Sequence, residues 1–423
     1  MHNCDIIIIG YGPGGMEVAG KAVAQGLDTV VIERDKPGGT CLNRGCIPTK
    51  ALCYSAEHAS GAPDAYADAW ARKNAVVTEL RDNLSALTSK VTFVTGEARF
   101  TDAHTVEVNG ATYTAPKIVI ATGSMPARLP IPGAELAIDS DRLLELQQLP
   151  ASICIIGGGV IGMEFACILN AFGVNVTVLE FCKEILPNFD KDVSKRLKTA
   201  LTRKGINIIT SAKVTEILPG KQVVYESKGK TAAVSAEEVL IAVGRRPVIP
   251  EGAQEIGITI ERNAIKVDDN YRTDVDGIYA IGDVNARLML AHAASAQGSA
   301  VMGTPMNCDV IPAAAFTTPE CAMAGLTEEM CKEQGLGYKS VKAMFRSNGK
   351  AVSMGETDGI VKLLVSTDTR QILGAHICGP HAADLIGEPA LAMSAKLPVD
   401  IIAKTIHAHP TLGEVIHAAA SSV

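Results

Sequence analysis

A chain of 423 residues is too long for one core and, at roughly 150 residues per domain, implies about three, which excludes a peptide hormone or a small binding module. Lys and Arg total 39 against 46 Asp and Glu, a formal charge of −7 with no basic run, so nucleic acid is a poor partner. The 47% hydrophobic and 20% charged content is that of a folded globular protein. The longest apolar candidate, 153–169, carries four glycines and Glu164 and reads as strand, turn and helix, not as a membrane span. The start of the chain has no basic leader or small-residue cleavage pattern, and eleven cysteines lie scattered without a stapling pattern. These features lead to the expectation of a cytoplasmic protein.

In chain order, 5–9 reads as a short apolar strand. Gly10, Gly12 and Gly15 follow in G-x-G-x-x-G spacing, then a helix to about residue 25 and a strand over 29–32 that ends at Glu33. The same grammar returns at 153–156, with Gly157, Gly159 and Gly162, a helix to about 172, and a strand over 174–179 that ends at Glu180. In each copy a glycine turn aims a helix N-terminus at a pyrophosphate and the later acid accepts from a ribose hydroxyl. One such motif is weak support; two at equal spacing predict two dinucleotides. Phe181 and Cys182 follow Glu180 with no Arg to meet a 2′-phosphate, so NAD is favoured over NADP at the second site despite Lys183.

Between the copies lies the close cysteine pair Cys41 and Cys46. In a regular helix residues i and i+5 stand roughly 8.7 Å apart at Cα, beyond the limit of about 7 Å for a disulfide. A bridge therefore needs a distorted turn, which Gly45 permits, and its strain would suit a redox couple. Two reduced thiols, or a metal site recruiting Cys53 and His58, remain as alternatives. Toward the C-terminus, strands over 360–366 and 372–377 and a helix over 382–393 predict an α+β interface unit. His409 and Glu414 combine an imidazole with a carboxylate just past Pro410, a residue that can begin a helix. They form a candidate acid-base dyad for a thiol substrate. The competing readings are a solvated helix start and a metal cluster of His407, His409, Glu414 and His417.

The segment GGTCLNRGCIPTK resembles the redox-disulfide segment of dihydrolipoamide dehydrogenases, within the pyridine nucleotide-disulfide oxidoreductases. Asn43, Arg44 and Thr49 point there and away from glutathione reductase. The resemblance continues through ATGS at 121–124, GGGVIGMEF from Gly157, AVGRRP from Ala242, GIYAIGD from Gly277, AAAFTTPE from Ala313 and HAHPTLGE near the end. It implies FAD at the first turn and NAD at the second. Gly39, Thr40, Lys50, Ala121, Thr122, Gly123, Gly244, Gly282 and Asp283 join the glycines and acids around these cofactors, with Asp283 on the flavin ribityl chain. It further implies Cys46 as the charge-transfer thiol against the flavin and Cys41 as the sulfur that exchanges with substrate. Lys50 would lie near the flavin N5 and pair with Glu164. The His409–Glu414 dyad would reach the disulfide of a partner subunit in a homodimer, and no metal is implied.

The implied architecture is α/β: two doubly wound, Rossmann-like nucleotide-binding domains plus a C-terminal α+β dimerisation domain. The expected segments are 1–139 for FAD, 140–247 for NAD, 248–311 completing the FAD site, and 312–423 for the interface. The implied substrate is dihydrolipoamide, or the lipoyl domain of a 2-oxo-acid dehydrogenase or glycine cleavage complex. An NADH-dependent reductase of another small disulfide and a non-catalytic FAD-binding docking subunit are the alternatives. The ending AAASSV has no cysteine pair, which counts against mercuric and thioredoxin reductases. Tyr11 stands inside the first glycine turn where a smaller residue is usual, which calls the local pyrophosphate geometry into question. Asp276 and Val248 also depart from the pattern, and the stretches 51–94 and 300–309 are short beside it.

Overall fold

The computed structural model describes residues 2–59, 64–304 and 306–423, so the expectation of shortened stretches falls partly outside the described residues, at 60–63 and 305. The chain folds into two compact units. One comprises the N-terminus to Ala51, Asp68–Ala127 and Gly244–Cys308; the other comprises Leu52–Ala67, Arg128–Val243 and Asp309–Val423.

In the first unit, Ile6–Ile9 is a run of four isoleucines with every residue buried, as expected of a parallel strand covered on both faces. It is flanked by Thr29–Glu33 and Lys117–Ile120, with Thr92–Thr95 and Ile278–Ala280 at the edges, all five parallel. The chain first steps to one side of Ile6–Ile9 and later returns to the other. A switch point therefore opens at its C-terminal end, where doubly wound sheets bind ligands. Helices Pro13–Ala24 and Ala291–Val301 bury Val18, Ala19, Ala22 and Val301 with Ile6 and Ile8. A second, four-stranded sheet includes Arg99–Asp102, Thr105–Val108 and Ala111–Thr114.

The second unit repeats the plan. Ser152–Ile156 lies between Asn175–Glu180 and Glu238–Ile241, with Asn207–Thr210 beyond, all parallel. Again the switch point falls at the end of the first strand. The C-terminal part of this unit is a five-stranded antiparallel sheet in the order Ala313–Ala315, Glu320–Gly325, Ile372–Gly379, Ile360–Ser366 and Tyr338–Met344. The expected helix over 382–393 is two pieces, Ala382–Leu385 and Gly387–Ser394. Among the described residues, no helix is long and apolar enough to cross a membrane.

The strand Ile360–Ser366 buries a charge that periodicity did not single out. Lys362 is 1% exposed and donates to Asp190 at 2.9 and 3.0 Å, Asp192 at 2.7 Å and Glu328 at 2.6 Å. Removing one partner of such a cluster leaves buried carboxylates uncompensated, so Lys362→Met should cost about 3–5 kcal/mol in urea unfolding at neutral pH. Burial raises the Asp192 carboxyl, but hydrogen bonds from Lys362 and Lys342 outweigh it and hold it down to about 2. Hydrogen bonds from Lys362 and Lys332 hold Glu328 likewise down to about 2. Carboxyls depressed in the folded state contribute stability above their unfolded values and lose it as pH falls toward the folded ones. Wild-type stability should therefore drop between about pH 5 and pH 2, and Lys362→Met should flatten that drop.

Candidate active site

The two glycine turns have the same geometry for the same steric reasons. Gly10 has φ +101°, and a Cβ there would stand 2.3 Å from the Ala121 carbonyl oxygen. Gly157 has φ +114°, and its Cβ would stand 2.4 Å from that of Ala242. A Cβ on Gly15 or Gly162 would meet the carbonyl oxygen of Gly10 or Gly157 at 2.0 Å in either copy. The middle glycines differ: a Cβ on Gly159 meets nothing within 4 Å, and one on Gly12 only Gly39 Cα at 4.0 Å. Helices Pro13–Ala24 and Val160–Ala171 start at Gly12 and Gly159 without a side-chain cap. Their first-turn N–H groups and the open space above the middle glycines fit a pyrophosphate.

The acids are placed alike. Glu33 accepts from the Tyr11 N–H at 2.8 Å and the Asp35 N–H at 2.9 Å. Glu180 accepts from Gly158 at 2.5 Å and Cys182 at 2.6 Å. A carboxylate has about four acceptor positions, so each retains capacity for a ribose hydroxyl.

Tyr11 does not crowd the turn. Its side chain is fully buried, packed edge-on to Phe93 with ring centroids 5.5 Å apart, and joins the core beneath Ile6 and Ile8. The doubt raised from its size is thereby corrected: the backbone sends the ring away from the phosphate side. Its buried hydroxyl has no hydrogen-bond partner among the described residues. Tyr11→Phe should therefore hold or raise the unfolding midpoint and leave flavin affinity within about twofold; a large fall in flavin retention would contradict this placement.

The cysteine segment is seated on the first turn. Gly38 donates to the Tyr11 carbonyl at 2.9 Å, and a Cβ on Gly39 would lie 2.7 Å from Gly12 Cα. Helix Gly39–Arg44, which carries Thr40 and Cys41, stops at Gly45, and helix Cys46–Glu57 begins at once. Gly45 is required by close approach, since a Cβ would stand 2.9 Å from the Thr40 carbonyl oxygen and 3.4 Å from Cys41 Cα. Across this break the two thiols share a hydrogen bond. Both cysteines are in the thiol form. The Cys41 thiol is pushed far above its ordinary value, first by the hydrogen bond with Cys46 and then by burial, with Lys50 opposing. Lys50 stands one turn after Cys46 in the same helix. Asn43 donates to the Pro37 and Gly39 carbonyls, each at 2.9 Å, and accepts from Arg81 at 2.9 Å, which braces the short helix. Cys53 donates to the Phe316 carbonyl and His58 contacts the Tyr54 carbonyl. Among the described residues no group of three or more His, Cys, Asp or Glu could hold a metal.

A polar network at the far side of the first switch point was not foreseen as such. Asp283, in the 3₁₀ turn Gly282–Asn285, accepts from Ser124 Oγ at 2.5 Å; Arg245 donates to Ser124 Oγ at 2.7 Å and to its carbonyl at 2.8 Å. Gly282 N–H and Asn285 both donate to Gln297. Ala121 donates to Ile9, Val248 to Gly123, and Ala127 to Gly244, while Thr122 donates to the Val248 carbonyl at 2.5 Å. ATGS, the 244–247 part of AVGRRP and GIYAIGD therefore meet in one unit. Ser124 and Arg245 lie in those motifs, Gln297 lies in the following helix Ala291–Val301, and the spacing of a motif does not reveal who bonds to whom.

In the second unit, Glu164 is buried in helix Val160–Ala171 and accepts from the Phe316 N–H at 2.9 Å. His409 Nδ1 contacts Glu414 Oε1 at 2.8 Å, and Glu414 Oε2 accepts from the Thr411 N–H at 2.8 Å. The Thr411 N–H first, then His409, hold the Glu414 carboxyl below its usual range. The helix expected from Pro410 begins instead at Glu414, as Glu414–Ser421; residues 407–413 form an irregular loop that leaves His409 79% exposed. His407 contacts Glu388 at 3.0 Å and His417 the Ala403 carbonyl, and these two rings lie with centroids 5.2 Å apart, so their ring nitrogens are engaged away from the His409–Glu414 pair.

Residues 4–298 match the family described as pyridine nucleotide-disulphide oxidoreductase, and residues 311–420 match its dimerisation domain. The chain is 40% identical to the dihydrolipoyl dehydrogenase of Geobacillus stearothermophilus, over 98% of this chain and 95% of that one. It is 39% identical to a dihydrolipoyl dehydrogenase of Bacillus subtilis over similar shares. A solved structure of the HOCl-induced flavoprotein disulfide reductase RclA from Escherichia coli, as its Cu(II) complex, superposes with a TM-score of 0.92 at 31% identity and covers both chains fully. The chain belongs to the pyridine nucleotide-disulphide oxidoreductases, enzymes whose cofactors are FAD and NAD.

Proposed function

We propose that the chain oxidises a dihydrolipoyl dithiol and passes the electrons to NAD. The observation that carries this reading is the Cys41–Cys46 pair seated on the first glycine turn, its two thiols joined by a hydrogen bond. The curated relatives named dihydrolipoyl dehydrogenase support the choice of substrate.

In the oxidised pair, His409 Nε2 takes the proton of one substrate thiol, and the resulting thiolate attacks Cys41 Sγ. The Cys41–Cys46 bond breaks and its electron pair leaves on Cys46. The second substrate thiol, deprotonated in turn, attacks the substrate sulfur of the mixed disulfide and releases Cys41 with a proton. The substrate ends as a cyclic disulfide, two electrons poorer, and the cysteine pair two electrons richer. FAD, when bound, supplies the two-electron relay from the cysteine pair to NAD. Glu414 orients His409 so that Nε2 is the nitrogen left to accept, and Lys50 would stand toward the flavin. Glu33 and Glu180 would hold the two riboses, and Asp283 the flavin ribityl chain. The dyad acts on the cysteine pair of a partner subunit, so the active form is a homodimer built on 312–423, with 1–139 and 248–311 holding FAD and 140–247 holding NAD.

Reduction of another small disulfide by NADH is the second reading, favoured by the likeness to a flavoprotein disulfide reductase. Steady-state assays with dihydrolipoamide and NAD, and with cystine, oxidised glutathione and NADH, separate the two. The proposal expects kcat/KM for dihydrolipoamide at least about 100-fold above that for the other disulfides. A preference for another disulfide would overturn it.

A further inference from the structure

We propose that the chain carries an additional binding site for a small organic dianion, a phosphate monoester in chemical class, between helix Lys191–Arg203 and strand Tyr338–Met344. A cavity of about 290 Å³ lies there, close to the lower bound for small-molecule sites. None of its lining residues belongs to a glycine turn, the cysteine pair or the His409 loop.

The charges of the lining define the ligand. Lys195, Arg196, Arg203 and Lys342 face two carboxylates, Asp192 and Asp358, an excess of two positive charges. Both carboxylates are already engaged: Asp358 by Arg203 at 3.3 Å, and Asp192 by Lys342 at 2.9 Å and by the buried Lys362 at 2.7 Å. Lys195 and Arg196 form no ion pair among the described residues. This concentration of cations occurs in a protein of net charge −7, where the mean field opposes it. The floor is apolar, formed by Ala200, Met344 and Ile360, so the cavity takes a carbon body as well as an anionic head. A guanidinium at the rim matches the oxygens of a phosphate in forked geometry.

The walls are also fixed before any ligand arrives. Asp190 caps the helix by accepting from Asp192 N–H at 3.0 Å, and Lys362, from the strand Ile360–Ser366, binds Asp190 and Asp192 together. Helix and sheet are thus held at one separation by a buried cluster, which lowers the ordering cost of binding.

The test uses the full FAD-loaded protein with saturating NAD, so that both pyrophosphate turns are occupied, in calorimetric titrations at matched ionic strength. Phenyl phosphate is the probe, with inorganic phosphate and phenol as its two halves. Phenyl phosphate should bind saturably and more tightly than either half. The double substitution Lys195→Gln with Arg196→Gln should weaken it at least about tenfold. Lys195→Arg with Arg196→Lys should retain it, and Lys228→Gln with Lys230→Gln, on a distant hairpin, should not change it. Absence of saturable binding, phenol binding as tightly as phenyl phosphate, or equal losses in the two Gln pairs would overturn the proposal. Tighter binding of succinate than of phenyl phosphate would overturn its assignment to phosphate.

Discussion

Replacement of His409 by Gln should slow oxidation of dihydrolipoamide by about 10²- to 10⁴-fold, the usual contribution of a positioned general base. Oxidation of NADH by ferricyanide should stay within about twofold in the same protein, because that reaction bypasses the cysteine pair. The structural ground is the division of labour around the ring. Nδ1 is committed to Glu414 at 2.8 Å, so the tautomer with its proton there leaves Nε2 as the acceptor. The irregular loop keeps the ring 79% exposed on its own chain, where a substrate and a second subunit can reach it. Glu414→Gln should cost less, since an amide can still accept from the Thr411 N–H that positions the side chain. Equal losses of both activities in His409→Gln would contradict the role of base.

The second large effect separates the two cysteines. Cys46→Ser should abolish dithiol oxidation and also remove the long-wavelength absorbance expected on anaerobic reduction of the FAD-loaded protein. Cys41→Ser should abolish turnover as fully yet show that absorbance before any reduction, because Cys46 then has no sulfur to bridge to and would stay a thiolate against the oxidised flavin. The asymmetry follows from the hydrogen bond between the thiols, which together with burial raises the Cys41 thiol and so favours the thiolate on Cys46. Absorbance retained in Cys46→Ser and lost in Cys41→Ser would exchange the two roles.

Much of this architecture was legible because its constraints are local. Gly10 and Gly157 must be glycine for the carbonyls of Ala121 and Ala242 to pass so near, and that demand leaves a pattern of fixed spacing. The isoleucine run at 6–9 and the apolar run at 360–366 are strands in the structure as read. What escaped is what depends on side-chain direction or distant sequence. Tyr11 could be seen to be large but not to turn inward against Phe93. Lys362 draws its partners from residues 34 to 172 positions away, and no periodicity encodes such a cluster. Pro410 is compatible with a helix start, yet the Glu414 carboxylate, by accepting from Thr411 N–H, holds the preceding loop open and delays the helix by four residues.

The central claim is that Cys41 and Cys46 form a two-electron couple in series with the flavin. Anaerobic dithionite titration of the FAD-loaded wild type tests it most directly. The account predicts uptake of about four electrons per chain, two by the cysteine pair and two by the flavin, with long-wavelength absorbance rising over the first two and declining over the last two. Full bleaching of the flavin after about two electrons, with no long-wavelength absorbance, would contradict it.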